Sequence, residues 1–205
     1  MQEDDPQPHP FPGQALPPWR RAVIKVGSSL LTDGRGELGR HNAAALAGLI
    51  ARFRDQGREV LLVSSGAVAA GRGLMAQRRG GMIQRQALAS LGQTPMLALW
   101  QDLIEEPVAQ VLLSHDDLRN RRRYLNAQAT LQELLHHGAL PIVNENDTVA
   151  VDELKLGDND NLAAAVATLV DADVLLIATD IHGLYSGHPV RDPDAAPLPL
   201  VEVAG

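Results

Sequence analysis

The sequence contains no cysteine, few aromatic residues and no long apolar run. Without cysteine the chain has neither disulfides nor thiolate metal sites, which fits a reducing, cytoplasmic environment. No apolar run approaches the roughly 18 residues of a membrane-spanning helix, so no membrane segment is expected. Acidic residues outnumber basic ones by 25 to 18, and the net charge of −7 argues against general nucleic-acid binding.

Arginines nevertheless cluster at positions 119 and 121–123. An RNA-binding patch is one interpretation of this run. Because the only aromatic neighbour is Tyr124 and the chain is acidic, a solvated face or a subunit contact is favoured.

The 205 residues, of which 45% are hydrophobic, are sufficient for one sizeable domain with a full core. The first 19 residues differ from the rest, because they lack apolar core residues and are rich in proline. Their prolines are Pro6, Pro8, Pro10, Pro12, Pro17 and Pro18. They also lack the basic-then-apolar order of a signal peptide. We therefore expect a disordered proline-rich tail over residues 1–19 and a folded domain over residues 20–205.

Short apolar segments alternate with segments of helical periodicity along this domain. The predicted strands are residues 21–26, 60–63, 108–113, 139–143 and 174–178. The predicted helices are residues 42–53, 67–75, 84–104, 120–137 and about 161–170. We expect the third helix to be interrupted near Gly92 or Pro95. This alternation predicts an α/β fold, a three-layer αβα sandwich with a mainly parallel sheet.

Four of the predicted strands are followed by small or polar residues. These residues occupy positions 27–29, 64–66, 144–147 and 179–180. Ligands of open α/β sheets bind at the carboxyl ends of the strands. The sequence therefore predicts a polar ligand site where these four segments meet.

The densest polar segments are residues 144–147, Asn-Glu-Asn-Asp, and residues 158–161, Asp-Asn-Asp-Asn. Paired carboxylates are one interpretation, and they would suggest glycoside hydrolysis. A magnesium site made of one or two carboxylates and a substrate phosphate is the second. The third is a site for the ammonium and carboxylate groups of a small polar ligand, and a solvated turn is the structural alternative.

Lysine is rare in this chain, which has only Lys25 and Lys155. Lys25 precedes the turn at residues 27–29, Gly-Ser-Ser, whose amides and hydroxyls can cradle a phosphate. This turn has the spacing of neither a Walker P-loop nor a GxGxxG motif. The second serine turn, at residues 64–66, precedes a helix and can hold a carboxylate or a phosphate. An ordinary turn and an ordinary helix cap are the alternatives.

Seven motifs, taken in order, resemble those of the glutamate 5-kinase family, which belongs to the amino-acid kinase superfamily. They occupy residues 24–29, 63–71, 92–93, 124–127, 143–149, 155–162 and 179–185. The resemblance extends from about residue 21 to about residue 193. It implies the amino-acid kinase fold and ATP-dependent phosphorylation of the γ-carboxylate of L-glutamate with Mg²⁺, the first step of proline biosynthesis. It also implies proline as a feedback inhibitor and a homo-oligomer. The composition, by contrast, is the reason that neither nucleic acid nor a membrane is expected as a partner.

The resemblance assigns roles to individual residues. The catalytic residues would be Lys25, which contacts the transferring phosphoryl group, and Asp160, which organises that lysine. The residues that would hold glutamate are Ser65, Asp147 and Asn159. The residues that would bind ATP are Lys25, Gly27, Ser28, Thr179 and Asp180. No residue is assigned as a metal ligand.

The sequence departs from the family pattern at several positions, of which two bear on the site. Arg85 occupies a position where the family has lysine. The family also continues beyond this point with a glycine-rich segment that ends in a second catalytic lysine, and many members then have an RNA-binding-like PUA domain. We therefore expect a C-terminally incomplete kinase domain that contains the acceptor-binding portion. Two alternatives remain: a catalytically impaired remnant that binds glutamate or pairs with a full-length kinase, and a sister acyl-phosphate kinase acting on another amino acid.

Overall fold

Five parallel strands form one sheet in the order β3-β4-β2-β1-β5. The computed structural model describes residues 15–33, 36, 38–75, 80–149, 159–181, 183–199 and 201. The strands are β1 (Arg21–Val26), β2 (Glu59–Ser64), β3 (Val108–Leu113), β4 (Leu140–Glu145) and β5 (Val174–Ala178). All five predicted strands are confirmed, with ends that differ from the prediction by at most two residues.

The helices that lie between these strands also follow the predicted order. They are α1 (Ser28–Leu31), α2 (His41–Asp55), α3 (Ala67–Arg72), α4 (Met82–Leu103), α5 (His115–Arg119), α6 (Arg121–His136) and α7 (Asn159–Leu169). The short helices α1 and α5 were not predicted.

The expected interruption of α4 is wrong, because the helix continues through both Gly92 and Pro95. Proline in a helix interior cannot donate to the carbonyl four residues earlier, here that of Leu91. Leu91 is exposed, so that carbonyl lies on the solvent side of the helix, where water can bind it. Just beyond the proline, Met96 and Trp100 are fully buried and hold the helix against the sheet.

Successive strand residues point to opposite faces of the sheet and form two separate cores. On one face, Ile24, Leu62 and Ile142 pack with residues of α2, α3 and α4. On the other face, Val23, Leu61 and Val143 pack with residues of α6 and α7. Helices thus cover both faces of the sheet, which confirms the three-layer αβα architecture.

Helices α3 and α4 approach each other more closely than side chains would permit. A Cβ atom added at Gly71 would lie 2.0 Å from the carbonyl oxygen of Leu88. A Cβ atom added at Gly92 would lie 1.7 Å from the carbonyl oxygen of Ala67. Both distances are far shorter than a van der Waals contact, so this helix crossing requires glycine at both positions.

The amino-terminal end of β1 is fixed by polar contacts. The carboxylate of Asp173 accepts hydrogen bonds at 2.8 Å from the backbone amides of Arg20 and Arg21, and these bonds lower its pKa. The side chain of Arg21 also forms an ion pair with Glu59 at 2.8 Å. Trp19 packs edge-on against Phe53, with a ring distance of 4.9 Å.

A capping box lies where β3 leads into α5. Ser114 Oγ accepts from the amide of Asp117, and the Asp117 carboxylate accepts from the amide of Ser114 at 2.7 Å. Arg123, a member of the arginine cluster, pairs with Asp117 at 3.0 Å. Burial acts to raise the pKa of Asp117, but the Ser114 hydrogen bonds and the Arg123 charge outweigh it, so that the pKa lies below its usual 3.8.

The chain divides into two compact units. One is Pro18–Ala178, which contains the sheet, and the other combines Met1–Pro17 with Thr179–Gly205. In the second unit, Tyr185 and Pro197 form an isolated antiparallel bridge. Residues 1–14 of the predicted tail lie outside the described residues, so its disorder and the domain boundaries stay predictions. None of the helices in the described ranges is long and apolar enough to cross a membrane.

Candidate functional site

A cavity of about 790 Å³ opens in the unit Pro18–Ala178, where the ends of β1, β2 and β4 meet. These strands are neighbours in the sheet, so their carboxyl ends lie side by side. The segment after β1 contributes Ser28 and Ser29 to the cavity wall, and the segment after β2 contributes Ser65 and Gly66. The end of β4 contributes Asn144 and Glu145, the turn after β4 contributes Asp147, and the start of α7 contributes Asn159.

Lys25 and Asp160 form an ion pair, in which Nζ lies 2.6 Å from Oδ1. The lysine side chain is only 8% exposed, whereas that of Asp160 is 44% exposed. Asp160 lies in the first turn of α7, and the apolar packing of Leu162 and Val166 against the sheet brings that turn to the end of β1. The structure therefore brings the two predicted catalytic residues together.

Gly27 lies beside this ion pair. A Cβ atom at Gly27 would come within 3.8 Å of Lys25 Nζ, so the ammonium group is next to the backbone of the turn. Lys25 and Gly27 do not themselves line the cavity, whereas Ser28 does. The unpredicted helix α1 begins at Ser28, which makes the predicted phosphate turn the start of a helix.

Asn159 connects the ends of β2 and β4. Its Nδ2 donates to Ser65 Oγ at 2.7 Å and also contacts Ser64 O at 3.4 Å and Asn144 Oδ1 at 3.3 Å. Asn144 Oδ1 also accepts from the amide of Glu145 at 2.9 Å, which identifies it as an acceptor. Because the neighbours of Nδ2 include a backbone carbonyl and an amide oxygen, the orientation of the Asn159 amide is determined. In the described part of the chain, its Oδ1 accepts no hydrogen bond.

The serine turn after β2, at residues 64–66, does not provide a side-chain cap for the helix that follows it. Gly66, with φ of +103°, precedes α3, and no side chain caps that helix. The hydroxyl of Ser65 instead contacts Asn159. The buried Ser64 contacts helix α4, because its Oγ accepts a hydrogen bond from Trp100 Nε1 at 3.4 Å. Ser65 is therefore free of capping and available at the cavity wall.

The acid–amide segment after β4 forms a turn. The amide of Asn146 donates to Leu113 O at 2.9 Å, and the amide of Val149 donates to Asn146 O at 3.1 Å. Asp147 lies within this turn and lines the cavity. The structure thus assembles Ser65, Asp147 and Asn159, the three predicted glutamate-binding residues, around one cavity. Asp158 and Lys155 lie outside the described residues.

The two remaining ATP-site predictions, Thr179 and Asp180, follow β5 directly and belong to the second compact unit. Thr179 Oγ1 donates to Asp180 Oδ1 at 3.2 Å. Their place in a nucleotide site stays a prediction.

The structure also adds residues that the sequence did not assign to the site. They are Glu145 and, at the α3–α4 end of the cavity, Arg72, Gln84 and Arg85. Glu145 lies inside a motif that was already recognised, and Arg85 was noticed only as a departure from the family. No sequence pattern indicated that Arg72 would line the cavity, because its position depends on how α3 and α4 cross.

These residues give the cavity a definite chemical character. It has carboxylates at Glu145 and Asp147 and guanidinium groups at Arg72 and Arg85, and the ion pair between the buried Lys25 and the partly exposed Asp160 lies close by. No histidine is found among the described residues that line it. The arrangement favours a reaction that requires binding and neutralisation of charge rather than a strong base.

The sequence is similar to those of known proteins. The sequence model of the amino acid kinase family matches residues 20–204. The chain is 62% identical over 196 residues to a glutamate 5-kinase of Xylella fastidiosa (strain 9a5c), which covers 94% of this chain and 51% of that protein. It is 63% identical over 179 residues to a glutamate 5-kinase of Xanthomonas campestris pv. campestris (strain 8004), covering 86% of this chain and 49% of that protein. The chain spans about half the length of these curated relatives.

Solved structures with the same fold are more distant in sequence. An isopentenyl phosphate kinase in a substrate complex has a TM-score of 0.60 at 21% identity, over 88% of this chain and 77% of that one. A UMP kinase from Bacillus anthracis has a TM-score of 0.55 at 17% identity, over 87% of this chain and 72% of that one. At these identities the likeness establishes the fold alone.

Proposed function

This chain belongs to the amino acid kinase family, and from that premise we propose that it carries the acceptor site of a glutamate 5-kinase. The proposed reaction is ATP-dependent phosphorylation of the γ-carboxylate of L-glutamate, which yields L-glutamyl 5-phosphate in the cytoplasm and begins proline biosynthesis. The observation that carries the proposal is the joint placement of Ser65, Asp147 and Asn159 around one cavity next to the Lys25–Asp160 pair. Relatives named glutamate 5-kinase, 62% and 63% identical to this chain, support the choice of acceptor.

In this proposal the acceptor residues bind glutamate by complementary charge and hydrogen bonding. The carboxylate of Asp147 attracts the ammonium group of glutamate. The NH₂ group of Asn159 is already used within the protein, so its Oδ1 offers an acceptor to the same ammonium. The hydroxyl of Ser65, which accepts from Asn159, retains its own proton to donate to a carboxylate.

A γ-carboxylate oxygen of glutamate attacks the terminal phosphorus of ATP, and the bond from that phosphorus to the bridging oxygen breaks to release ADP. The attacking carboxylate is already ionised, so the step requires no strong base. Lys25 neutralises charge on the transferring group, and Asp160 positions the lysine through their ion pair. Gly27, Ser28, Thr179 and Asp180 are proposed to bind the nucleotide.

Mg²⁺ is proposed to accompany ATP. This ion commonly keeps several waters and binds substrate phosphates together with one or two carboxylates. Such a site does not require a protein cluster of three acids, and the described residues contain no cluster of three or more histidines or acids that could hold a metal ion. Asp160, beside the phosphoryl-binding lysine, is the carboxylate best placed to contribute.

Glutamate as substrate, proline as feedback inhibitor and a homo-oligomeric assembly are all parts of the proposal. Isothermal titration calorimetry with L-glutamate tests binding, and ADP release tests transfer with L-glutamate, L-aspartate or N-acetyl-L-glutamate as acceptor. Glutamate binding with ADP release supports the proposal. Preferential use of another acceptor indicates the sister acyl-phosphate kinase, and glutamate binding without ADP release indicates the acceptor-binding remnant.

Asp147→Ala provides a sharper test of the acceptor site. Removing this carboxylate should weaken glutamate binding by roughly tenfold, in line with the usual strength of a hydrogen bond to a charged group. Asp55→Ala is the matched control, because Asp55 is an exposed acid at the end of α2 and does not line the cavity. An effect of Asp147→Ala confined to ATP affinity would contradict the assignment.

A further inference from the structure

The cavity extends beyond the three residues proposed to hold glutamate. Its volume of about 790 Å³ lies within the range of roughly 300–1,000 Å³ that is typical of sites for drug-sized ligands. Its wall continues from Ser65, Asp147 and Asn159 to residues of α3 and α4, among them Arg72 and Arg85.

The helix crossing explains why these two arginines lie together. Gly71 contacts the backbone of Leu88 at the crossing point. Arg72 directly follows that glycine, and Arg85 lies about one helical turn before Leu88. Both side chains consequently reach the same end of the cavity.

Neither guanidinium group has a charge partner within the described ranges of the chain. Both residues are exposed, and both lack an ion pair or a side-chain hydrogen bond to any described residue. The acids of the cavity come from other elements, Glu145 from the end of β4 and Asp147 from the turn that follows it. The cavity wall therefore carries groups of both signs, which suits a ligand that carries both.

Glutamate carries an ammonium group and two carboxylates, of which only one is phosphorylated. The carboxylate of Asp147 and the Oδ1 atom of Asn159 suit the ammonium group but repel a carboxylate. Lys25 is buried against Asp160 at the phosphoryl-transfer end. An arginine fork, by contrast, matches the geometry of a carboxylate and can bind it through two parallel hydrogen bonds.

We propose that Arg72 and Arg85 form a carboxylate subsite that binds the α-carboxylate of the acceptor and selects for dicarboxylic amino acids. This inference rests on the proposed function, since it names the group of glutamate that the two arginines recognise. In this proposal, residues at the α3–α4 crossing determine which acceptor binds. Lys25, near the carboxyl end of β1, and Asp160, at the start of α7, act in phosphoryl transfer.

The test compares L-glutamate with its α-amide, L-isoglutamine, by calorimetry on the full chain. The two ligands share the γ-carboxylate and the ammonium group and differ only in the charge at the α-carboxyl position. Wild-type protein should bind glutamate at least roughly tenfold more tightly than isoglutamine, because a hydrogen bond between charged groups is lost with the amide. Arg72→Gln and Arg85→Gln should each reduce this preference by weakening glutamate binding and leaving isoglutamine binding unchanged.

Two further variants make the result specific. Arg85→Lys retains the charge and should keep most of the preference. Arg122→Gln removes an exposed arginine of α6 that does not line the cavity, and it should keep all of it. Thermal unfolding of each variant identifies any loss of folding.

The outcomes separate the two proposals. If wild-type protein binds glutamate and the glutamine variants retain its full preference over isoglutamine, the subsite is wrong and the acceptor assignment stands. If wild-type protein binds no glutamate at all, the proposed function fails and the subsite fails with it. If both arginine variants lose the preference while Arg122→Gln keeps it, the subsite is supported.

Discussion

The carbonyl oxygen of Ala67 lies 1.7 Å from the position that a Cβ atom at Gly92 would occupy. Gly92→Ala should therefore force α3 and α4 apart, since the clash is with backbone rather than with a flexible side chain. Overpacking of this kind costs about 1–3 kcal/mol and occasionally more. Urea unfolding monitored by circular dichroism measures the loss in the free energy of unfolding.

Gly48→Ala is the matched control for this prediction. Gly48 lies inside α2, and a Cβ atom there would meet no heavy atom within 4 Å. Alanine in a helix interior is favoured over glycine by about 0.5–1 kcal/mol, so this variant should be more stable than wild type. Equal effects of the two substitutions would contradict the close crossing.

Asn159→Asp should disrupt the contact between α7 and the strand ends. The substitution preserves shape but replaces the donating NH₂ with an oxygen that faces Ser64 O and Asn144 Oδ1, both acceptors. The loss in the free energy of unfolding should be about 1–3 kcal/mol, and glutamate binding should weaken as well. Asn161→Asp adds the same charge at an exposed position of the same helix and should have little effect on either measurement.

Lys25→Ala should reduce phosphoryl transfer without removing acceptor binding. Loss of one preorganised charge-stabilising group lowers kcat by about a hundred- to a thousandfold. The side chain of Asp160 is 44% exposed, but its Oδ1, the atom that faces Lys25, is buried. The variant should therefore lose some stability, and thermal unfolding checks that it still folds. ADP release and calorimetry with glutamate measure the two effects separately. Unchanged ADP release in the variant would overturn the role given to Lys25.

Asp117 should make stability depend on pH in the acidic range. Its folded-state pKa lies below the usual 3.8, so its contribution to stability is complete above that value and is lost as pH falls through the lowered pKa. The difference in unfolding free energy between wild type and Asp117→Asn should be constant above about pH 5 and shrink towards about pH 3. Urea titrations across this range measure the difference. Ser114→Ala, which removes the hydroxyl partner, should flatten the profile, and a difference that stays constant throughout would contradict the capping box.

The sequence was most informative about the sheet. Short apolar segments located all five strands, and β1, β3 and β5 have the predicted limits. Helices α1 and α5 have only four and five residues, which is too short to show helical periodicity. The helix α4 was predicted to break because proline is unfavourable in helix interiors, but packing of its neighbours against the sheet outweighs that preference.

Part of the candidate site could be predicted from the sheet, and the rest depends on tertiary contacts. Polar residues at strand ends could be placed together from the sheet alone, which located Ser65 and Asp147. The pairing of Ser65 with Asn159 joins residues 94 positions apart and required the structure. The positions of Arg72 and Arg85 depend on a helix crossing that only tertiary packing defines.

The hydrogen bond from Trp100 to Ser64 gives this protein an internal optical probe. Of its two tryptophans, Trp100 is fully buried, and its bonded partner immediately precedes Ser65 at the cavity wall. Trp19 lies at the other end of the sheet, just before β1, with the guanidinium of Arg58 4.2 Å from its ring. In a Trp19→Phe variant, the tryptophan fluorescence comes from Trp100 alone, so ligand binding at the cavity can be followed without an added label.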